Sequence, residues 1–212
     1  MRGIFITFEG VEGSGKSTQV ERLARYLRGR GLDCVVSREP GGTEIGERIR
    51  TILLDPGCRT MDPKTELFLY LASRNQHVRE KVLPALRQGK VVVLDRFGDA
   101  SLAYQGYGRE LGVKLVSRLN KLATAALKPQ LTILVDLPVG VGKGRKEADE
   151  LDRVEQEALQ FHERVRRGYL SLARRAAGRI KVVDGTMEPD RLEAEIRRYV
   201  DELLVRKGMG SD

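Results

Sequence analysis

Short apolar runs alternate with longer segments whose apolar residues recur at helical spacing. Five runs, at residues 4–8, 33–37, 91–95, 131–136 and 180–183, have the length of β-strands. Some of them, such as residues 91–94, are apolar at every position, which is typical of strands buried on both faces of a sheet. The pattern therefore predicts a sheet whose two faces are both covered.

The segments between these runs predict helices at residues 16–30, 44–54, 62 to about 86, 111–127, 152–177 and 189–206. The third begins with Asp62 and Pro63, a capping residue followed by a first-turn proline, and we expect it to bend near Pro84. Strands that alternate with helices predict an α/β fold with a five-stranded parallel sheet and helices on both faces. In such a sheet, ligands bind where the strands end.

A glycine-rich loop follows the first predicted strand and opens the first predicted helix. Residues 10–17, GVEGSGKS, match the pattern G-x-x-x-x-G-K-[ST] in full. Its glycines let backbone N–H groups surround a phosphate, its lysine faces the β- and γ-phosphates, and its last hydroxyl can ligate Mg²⁺. The loop predicts a P-loop NTPase fold, with an ATP-binding set of Gly10, Val11, Glu12, Gly13, Ser14, Gly15, Lys16, Ser17 and Thr18.

A carboxylate and an arginine follow each other at the end of the third strand. Asp95 is predicted to hold Mg²⁺ through water, together with Ser17. Arg96 can clamp the phosphate of an acceptor with two parallel hydrogen bonds. The guanine-reading N-K-x-D motif of GTPases is absent, and 212 residues leave no room for a second helicase-like domain.

Length and composition predict one domain, residues 1–212, because 41% of the residues are hydrophobic. The formal charge of +8 attracts anions in general and selects no partner. No signal peptide or membrane-spanning run is evident, and Cys34 and Cys58 are expected to be free thiols. We therefore expect a cytoplasmic protein that binds neither membrane nor nucleic acid.

Four longer motifs are more specific than the general P-loop pattern. They are the P-loop form EGVEGSGK at 9–16, REPGGT at 38–43, DRF at 95–97 followed by AYQG at 103–106, and LDRVE at 151–155. In this order and spacing the sequence resembles the thymidylate kinase family, from Gly3 to about Leu204. The resemblance implies transfer of the γ-phosphate of ATP to dTMP with Mg²⁺, giving dTDP for dTTP synthesis. It also implies a homodimer, with an apolar face of the third helix as a plausible contact.

The resemblance assigns residues to the thymine and sugar of dTMP. Tyr70 stands where an aromatic ring stacks on thymine, and Arg74, on the same helix face, stands where an arginine donates to the base. Ser101 stands at the base edge, and Tyr104 under the sugar, where it disfavours a 2′-hydroxyl. Without the resemblance, Tyr70 would equally suit an ordinary core position.

Further residues are assigned to the acceptor phosphate and the 3′-hydroxyl. Glu12 stands near the 3′-hydroxyl and the metal, whereas Arg38, Arg50 and Arg96 stand near the phosphate. Arg50 would equally suit a solvated helix face. Glu39 and Gln105 complete the implied dTMP-binding set.

A basic, glycine-rich segment at about 140–153 is predicted to be a mobile lid that excludes water and supplies cations. The P-loop holds no arginine, so the resemblance implies that a lid arginine is catalytic. The candidates are Lys143, Arg145, Lys146 and Arg153, of which Arg145 is favoured because its planar fork suits two phosphate oxygens. The predicted catalytic residues are then Lys16, Arg96, Arg145 and Glu12. His77 and His162 are expected to be structural or surface residues.

Two other functions stay open at the level of sequence. The acceptor could be another nucleoside monophosphate, or a deoxynucleoside for which Glu39 would act as the base. Alternatively, the charge of +8 could serve a P-loop ATPase that binds nucleic acid, with binding that weakens as salt rises.

Overall fold

The computed structural model describes residues 3–143 and 151–209. Within these ranges the five predicted strands form one parallel sheet in the order β2-β3-β1-β4-β5. The strands are β1 (Ile4–Glu9), β2 (Cys34–Arg38), β3 (Val91–Asp95), β4 (Leu131–Asp136) and β5 (Ile180–Asp184). The predicted α/β class and the five-stranded parallel sheet are confirmed.

Helices cover both faces of the sheet. They are α1 (Lys16–Gly29), α2 (Glu44–Leu54), α3 (Pro63–His77), α4 (Leu83–Arg87), α5 (Gly98–Ser101), α6 (Val113–Ala123), α7 (Val139–Lys143), α8 (Leu159–Arg175) and α9 (Pro189–Arg206). A π-helical turn, Val78–Val82, joins α3 to α4, and a second one, Leu102–Gly108, continues α5. None of these helices is long and apolar enough to cross a membrane.

Alternating side chains of β1 divide the core between the two faces. Ile4, Ile6 and Phe8 pack with α1 and α9 on one face. Phe5 points to the other face, where its ring meets the edge of Phe97 at 4.9 Å and contacts the α3–α4 region. Because both faces are covered, every residue of β1 is buried, including the polar Thr7 and Glu9.

Two helix starts follow from their capping residues. The Asp62 carboxylate accepts the N–H of Lys64 at 2.8 Å, and Pro63 occupies the first turn, where no N–H is needed. Thr43 caps α2 by accepting the N–H of Gly46 at 3.0 Å. The predicted bounds 44–54 and the predicted start at Asp62 are confirmed.

The predicted start of the long late helix at residue 152 is wrong, because α8 begins at Leu159. Asp152 accepts the N–H of Glu155 at 2.9 Å, and the Glu155 carboxylate accepts the N–H of Asp152 at 3.0 Å. This reciprocal pair is a capping box, and the sequence pattern therefore marked a true helical turn. The turn is held against α2 by Arg153, whose N–H donates to Leu54 at 3.1 Å, so it does not run on into α8.

The helix predicted at residues 111–127 is also shorter in the structure, where it is α6 (Val113–Ala123). Ala125 and Ala126 have φ of 50° and 59°, a left-handed conformation that ends α6 at Ala123. The sequence did not predict α5, its π-helical continuation or α7. Irregular turns of this kind carry no hydrophobic period, so they give no signal of their own.

Candidate functional site

A cavity of about 510 Å³ opens at the carboxyl edge of the sheet. It forms there because Phe8, Asp95 and Arg38 are register partners on β1, β3 and β2, so that their strands end side by side. Helix α3, the π-helical segment 102–108 and the turn at 152–155 close its other sides. All predicted dTMP-binding residues line it: Glu12, Arg38, Glu39, Arg50, Tyr70, Arg74, Arg96, Ser101, Tyr104 and Gln105.

The predicted phosphate loop forms the floor of this cavity. A Cβ on Gly10 would lie 2.4 Å from the carbonyl oxygen of Val135, and a Cβ on Gly13 would lie 2.5 Å from that of Gly142. Neither position tolerates a side chain, which explains why glycine stands at both. Residues 12–18 line the cavity at the N-terminus of α1, where helical N–H groups favour an anion.

Lys16 is folded over this loop and is only 6% exposed. Its Nζ donates to the carbonyl oxygen of Val11 at 2.7 Å and to Ser14 Oγ at 3.2 Å. Burial, together with the nearby charge of Arg96, lowers the pKa of Lys16 from 10.5 to about 8. A bound polyphosphate would place negative charge beside the Lys16 ammonium and would therefore favour its protonated form.

Two predicted metal-binding side chains meet at the edge of the loop. Ser17 Oγ donates to Asp95 Oδ2 at 2.7 Å. The other carboxylate oxygen, Oδ1, is buried and has no hydrogen-bond partner within the described ranges. A buried carboxylate oxygen beside a hydroxyl suits a hydrated Mg²⁺. In the described part of the chain no three acidic, histidine or cysteine side chains converge, so the other ligands would be water and phosphate oxygens.

Arg96 lies at the centre of the cavity in a left-handed backbone conformation, with φ of 69°. Its Nη1 donates to the carbonyl oxygen of Gly10 at 2.8 Å, and its Nη2 forms an ion pair with Glu12. The guanidinium lies over the Tyr104 ring, 5.2 Å from the centroid. Burial lowers the pKa of Arg96, but the nearby acidic groups, chiefly Glu12, together outweigh it and hold this pKa well above its ordinary value, so the cation persists at every working pH.

Arg74 is 2% exposed and is largely committed to protein partners. Its Nε donates to Glu39 at 2.6 Å, and its Nη1 donates to Ser101 at 2.8 Å and Asn120 at 2.6 Å. Its Nη2 donates to the carbonyl oxygen of Phe97 at 3.0 Å. Four of its five N–H groups are engaged, which leaves one N–H for a ligand. Arg74 therefore stabilises the cavity wall and also lines the cavity.

Glu39 is 3% exposed, and both of its carboxylate oxygens have partners. One oxygen accepts from Arg74, and the other lies 3.1 Å from Nδ1 of His77. The opposite ring nitrogen of His77 lies 2.9 Å from Ser37 Oγ. His77 is fully buried in this network, in keeping with the predicted structural role, and Glu39 is not an uncommitted base.

The remaining predicted dTMP-binding residues line other parts of the cavity wall. Tyr70 is half-buried on α3, and the Tyr104 hydroxyl lies 3.3 Å from Glu12 Oε1. Arg50 donates to the carbonyl oxygen of Pro40 at 2.9 Å, so its guanidinium faces the cavity edge rather than open solvent.

Sequence reasoning missed a buried carboxylate, Glu66, that stands one helical turn before Tyr70. It accepts hydrogen bonds from Gln105 at 2.9 Å, Arg109 at 2.9 Å and Arg153 at 2.7 Å. Although burial raises the pKa of Glu66, the bonds and charges of these partners outweigh it and lower the pKa. Its partners lie far along the chain, so no local pattern distinguishes it from a solvated helix glutamate.

The same contacts change the interpretation of Arg153, one of the four candidate lid cations. Arg153 is 6% exposed, and its Nε donates to the carbonyl oxygen of Leu53 at 2.9 Å. With its bond to Glu66, this anchors residue 153 to α2 and α3, so it does not point to the phosphate loop. Arg145 and Lys146 lie outside the described residues, as does the side chain of Lys143.

Comparison with known proteins agrees with the geometry of the site. The family model described as thymidylate kinase matches residues 8–196. The thymidylate kinase of Symbiobacterium thermophilum is 46% identical over 208 residues, which cover 98% of this chain and 97% of that protein. That of Geobacter sulfurreducens is 50% identical over 211 residues, which cover 96% and 98%.

A solved structure extends the likeness to three dimensions. The crystal structure of thymidylate kinase from Ehrlichia chaffeensis superposes with a TM-score of 0.77 at 32% sequence identity, covering 93% of this chain and 98% of that one. With the P-loop, the paired Asp95 and Arg96 and the cavity beside them, these matches decide the family. The chain belongs to the thymidylate kinase family.

Proposed function

We propose that this protein transfers the γ-phosphate of ATP to dTMP, giving dTDP and ADP in the cytoplasmic supply of dTTP. The proposal rests on the cavity, in which the phosphate loop and Arg96 adjoin an aromatic and polar pocket of nucleotide size. The curated relatives at 46% and 50% identity carry the same activity in their name.

The proposed donor site consists of the loop and the start of α1. ATP would lie along residues 10–18, with Lys16 against the β- and γ-phosphates. Mg²⁺ would be held by Ser17 directly and by Asp95 through water, and it supplies charge neutralisation between the phosphates. The unpartnered Oδ1 of Asp95, within the described ranges, supports this assignment.

The proposed acceptor site lies between Arg96 and α3. The dTMP phosphate would meet Arg96, with Arg38 and Arg50 beside it, and thymine would stack on Tyr70 within reach of Arg74, Ser101 and Gln105. Tyr104 and Glu12, whose side chains lie 3.3 Å apart, would face the deoxyribose. An acceptor phosphate is already an anion, so the transfer needs no general base.

The lid and its cation remain proposals. Arg145 is proposed to act on the transferring phosphate, as the P-loop offers no arginine. Lys143 and Lys146 are the remaining candidates, because the contacts of Arg153 with Leu53 and Glu66 direct it elsewhere.

The two rival functions make different demands on these residues. A deoxynucleoside kinase needs a base for a 5′-hydroxyl, but the carboxylate of Glu39 is bound to Arg74 and His77. A nucleic-acid-dependent ATPase needs a basic surface, but many of the arginines pair with carboxylates, such as Arg22 with Glu193 and Arg166 with Asp136. Both observations favour the monophosphate kinase.

The acceptor panel is the decisive assay. ADP release with ATP and Mg²⁺ is measured for dTMP, dUMP, UMP, CMP, AMP, GMP and thymidine, each with and without single-stranded DNA. We expect turnover with dTMP to exceed that with any ribonucleotide by at least about 10²-fold, because a site shaped for a 2′-deoxyribose has no room for a hydroxyl. A preference for another monophosphate or for thymidine would show that the assigned acceptor is wrong. ATP turnover that depends on DNA alone would show that the protein is a nucleic-acid-dependent ATPase rather than a kinase.

We also propose that the protein is a homodimer that pairs through α2, α3 and α6. Helices α2 and α6 both pack on α3, and together they leave apolar side chains exposed. Phe68 on α3 is 57% exposed, and Leu122 on α6 is 80% exposed. Ile45 and Ile52 on α2 and Leu115 on α6 are also exposed. An apolar surface of this kind is typical of an interface with a second copy.

Light scattering during size-exclusion chromatography tests the dimer. We expect a mass of about 47 kDa, twice the 23.7 kDa of one chain. Phe68→Lys should give a single-chain mass, because it would bury an unpaired ammonium at the interface. Val205→Lys on α9 is the matched control, since Val205 is 68% exposed on another surface. A single-chain mass for the wild type would contradict the dimer.

A further inference from the structure

Glu9, the first residue of the EGVEGSGK motif, has no role in the site as described so far. It is the last residue of β1, and its side chain is fully buried. Burying a carboxyl group costs free energy unless partners compensate, so a fully buried glutamate next to a phosphate loop requires an explanation. One of its oxygens bonds the backbone next to Arg96, and the other bonds Tyr169 on α8.

One oxygen of Glu9 holds the backbone beside Arg96. Its Oε1 accepts the N–H of Phe97 at 2.8 Å, while the N–H of Arg96 donates to the carbonyl oxygen of Phe8 at 2.8 Å. Arg96 has φ of 69°, a left-handed conformation that costs a non-glycine residue about 1 kcal/mol or more. Surrounding contacts must hold such a residue in place. The hydrogen bond from the Phe97 N–H to Glu9 is one of the two hydrogen bonds just described that do so.

The other oxygen of Glu9 holds the guanidinium of Arg96 through a tyrosine. The Tyr169 hydroxyl donates to Glu9 Oε2 at 2.9 Å and accepts from Arg96 Nη1 at 3.2 Å. Tyr169 is 3% exposed on α8, and the edge of its ring faces the Tyr104 ring at a centroid distance of 6.2 Å. Glu9 therefore contacts both the backbone turn and, through one hydroxyl, the head group of the same arginine.

We propose that Glu9 is a positioning residue that holds Arg96 in the orientation needed to bind the phosphate of the acceptor. This inference rests on one part of the proposed function, namely that Arg96 binds the acceptor rather than ATP. Glu9 itself has no contact with the cavity, because it is fully buried and does not line it. Its effect must then pass through Phe97, Tyr169 and Arg96.

Burial raises the pKa of Glu9 from 4.5 to about 8, and the negative charge of Asp99 adds to the shift. At neutral pH the side chain is then largely a neutral acid, whose O–H donates to the Tyr169 hydroxyl oxygen, whereas the ionised form accepts from that hydroxyl. Glutamine matches both its shape and its charge and keeps an oxygen for the Phe97 N–H, so Glu9→Gln is the conservative variant. Glu9→Ala removes both hydrogen bonds, and Tyr169→Phe removes only the link to the guanidinium.

The experiment measures kcat and the KM of each substrate for these variants, with the monophosphate that the wild type turns over fastest. We expect Glu9→Ala to raise the acceptor KM about tenfold or more, because small misplacements of a clamping residue have large effects, and to leave the KM of ATP within about twofold. Tyr169→Phe should raise the acceptor KM about threefold, and Glu9→Gln should restore most of the loss. Tyr107→Phe, which removes a 3.1 Å hydroxyl contact with Ser171 on α8, is the matched control and should leave both KM values unchanged.

Three outcomes would overturn the proposal. They are an unchanged acceptor KM in both Glu9→Ala and Tyr169→Phe, an equal rise in the KM of ATP, or a loss in Glu9→Gln as large as that in Glu9→Ala. Should Glu9→Ala fail to fold, Tyr169→Phe against Tyr107→Phe decides. An acceptor other than dTMP would correct the proposed function, whereas the comparison of KM values would still test Glu9.

Discussion

Lys16→Met is expected to lower kcat by about 10²–10³-fold, the loss that follows removal of one group that stabilises transition-state charge. Lys16 is the single cationic side chain among residues 10–18, which form the proposed ATP-binding loop. The variant should nonetheless fold, because Lys16 is 6% exposed and its burial is a cost to the free protein. We expect its midpoint of thermal unfolding to equal or exceed that of the wild type.

The pH dependence of stability follows from the same burial. The pKa of Lys16 falls from 10.5 to about 8 on folding, so between these values the unfolded chain binds more protons than the folded one. The contribution of Lys16 to wild-type stability should therefore rise with pH across this window, and it is measured as the difference between the wild type and Lys16→Met. The stability advantage of Lys16→Met should be greatest below pH 8 and should disappear above about pH 10.5.

Lys90→Met is the matched control for this prediction. Lys90 pairs with Asp33 at 3.0 Å and does not line the cavity. It should retain wild-type kcat and should show no gain in stability below pH 8. Wild-type turnover in Lys16→Met would contradict the donor site, whereas a large drop in its unfolding midpoint would contradict the view that Lys16 is a cost to the folded state.

Local chemistry explains why the phosphate loop and most of the cavity could be predicted. Lys16 and Ser17 follow a strand and begin a helix, and their neighbours in sequence are also their neighbours in space. Asp95, Arg96 and Arg38 could be placed together because parallel strands end at one edge of a sheet. The roles of Tyr70, Arg74 and Tyr104 needed the resemblance to a family, since a helix period alone assigns them only to a face.

Partners distant in sequence explain what could not be predicted. Arg74 and Glu39 are 35 residues apart, and Arg153 and Glu66 are 87 apart, yet each pair is buried. In sequence these are charged residues on helices or in a basic segment, and such residues are usually solvated. The wrong start of α8 has a related cause. Asp152 and Glu155 do cap a helical turn, but tertiary contacts of Arg153 with α2 limit it to one turn.

The left-handed backbone of Arg96 shows how structure adds to the sequence motif. Aspartate and arginine at a strand end predicted a metal ligand and a phosphate clamp, but not that the clamp would be held in a strained conformation. Its guanidinium is held by protein contacts with Glu12, Gly10 and Tyr104. A site ordered in this way loses little conformational entropy when the acceptor arrives.

Arg96→Ala is expected to weaken dTMP binding by about 10²-fold, because a bidentate, charge-assisted contact with the phosphate is lost. Arg96→Lys should recover little of this, since an ammonium cannot make two parallel hydrogen bonds. Turnover should fall at least as far. The fold should survive, because Glu12, 30% exposed, can be hydrated when it loses this ion pair.

Thymidine separates the phosphate contact from the shape of the pocket. It carries the base and sugar without the phosphate, so calorimetry should show that Arg96→Ala binds it within about twofold of the wild type. The dissociation constants of dTMP and thymidine should then converge in the variant, because the phosphate no longer contributes. If thymidine binding weakened as much as dTMP binding, Arg96 would act by holding Tyr104 and the sugar wall, and its assignment as the phosphate clamp would be wrong.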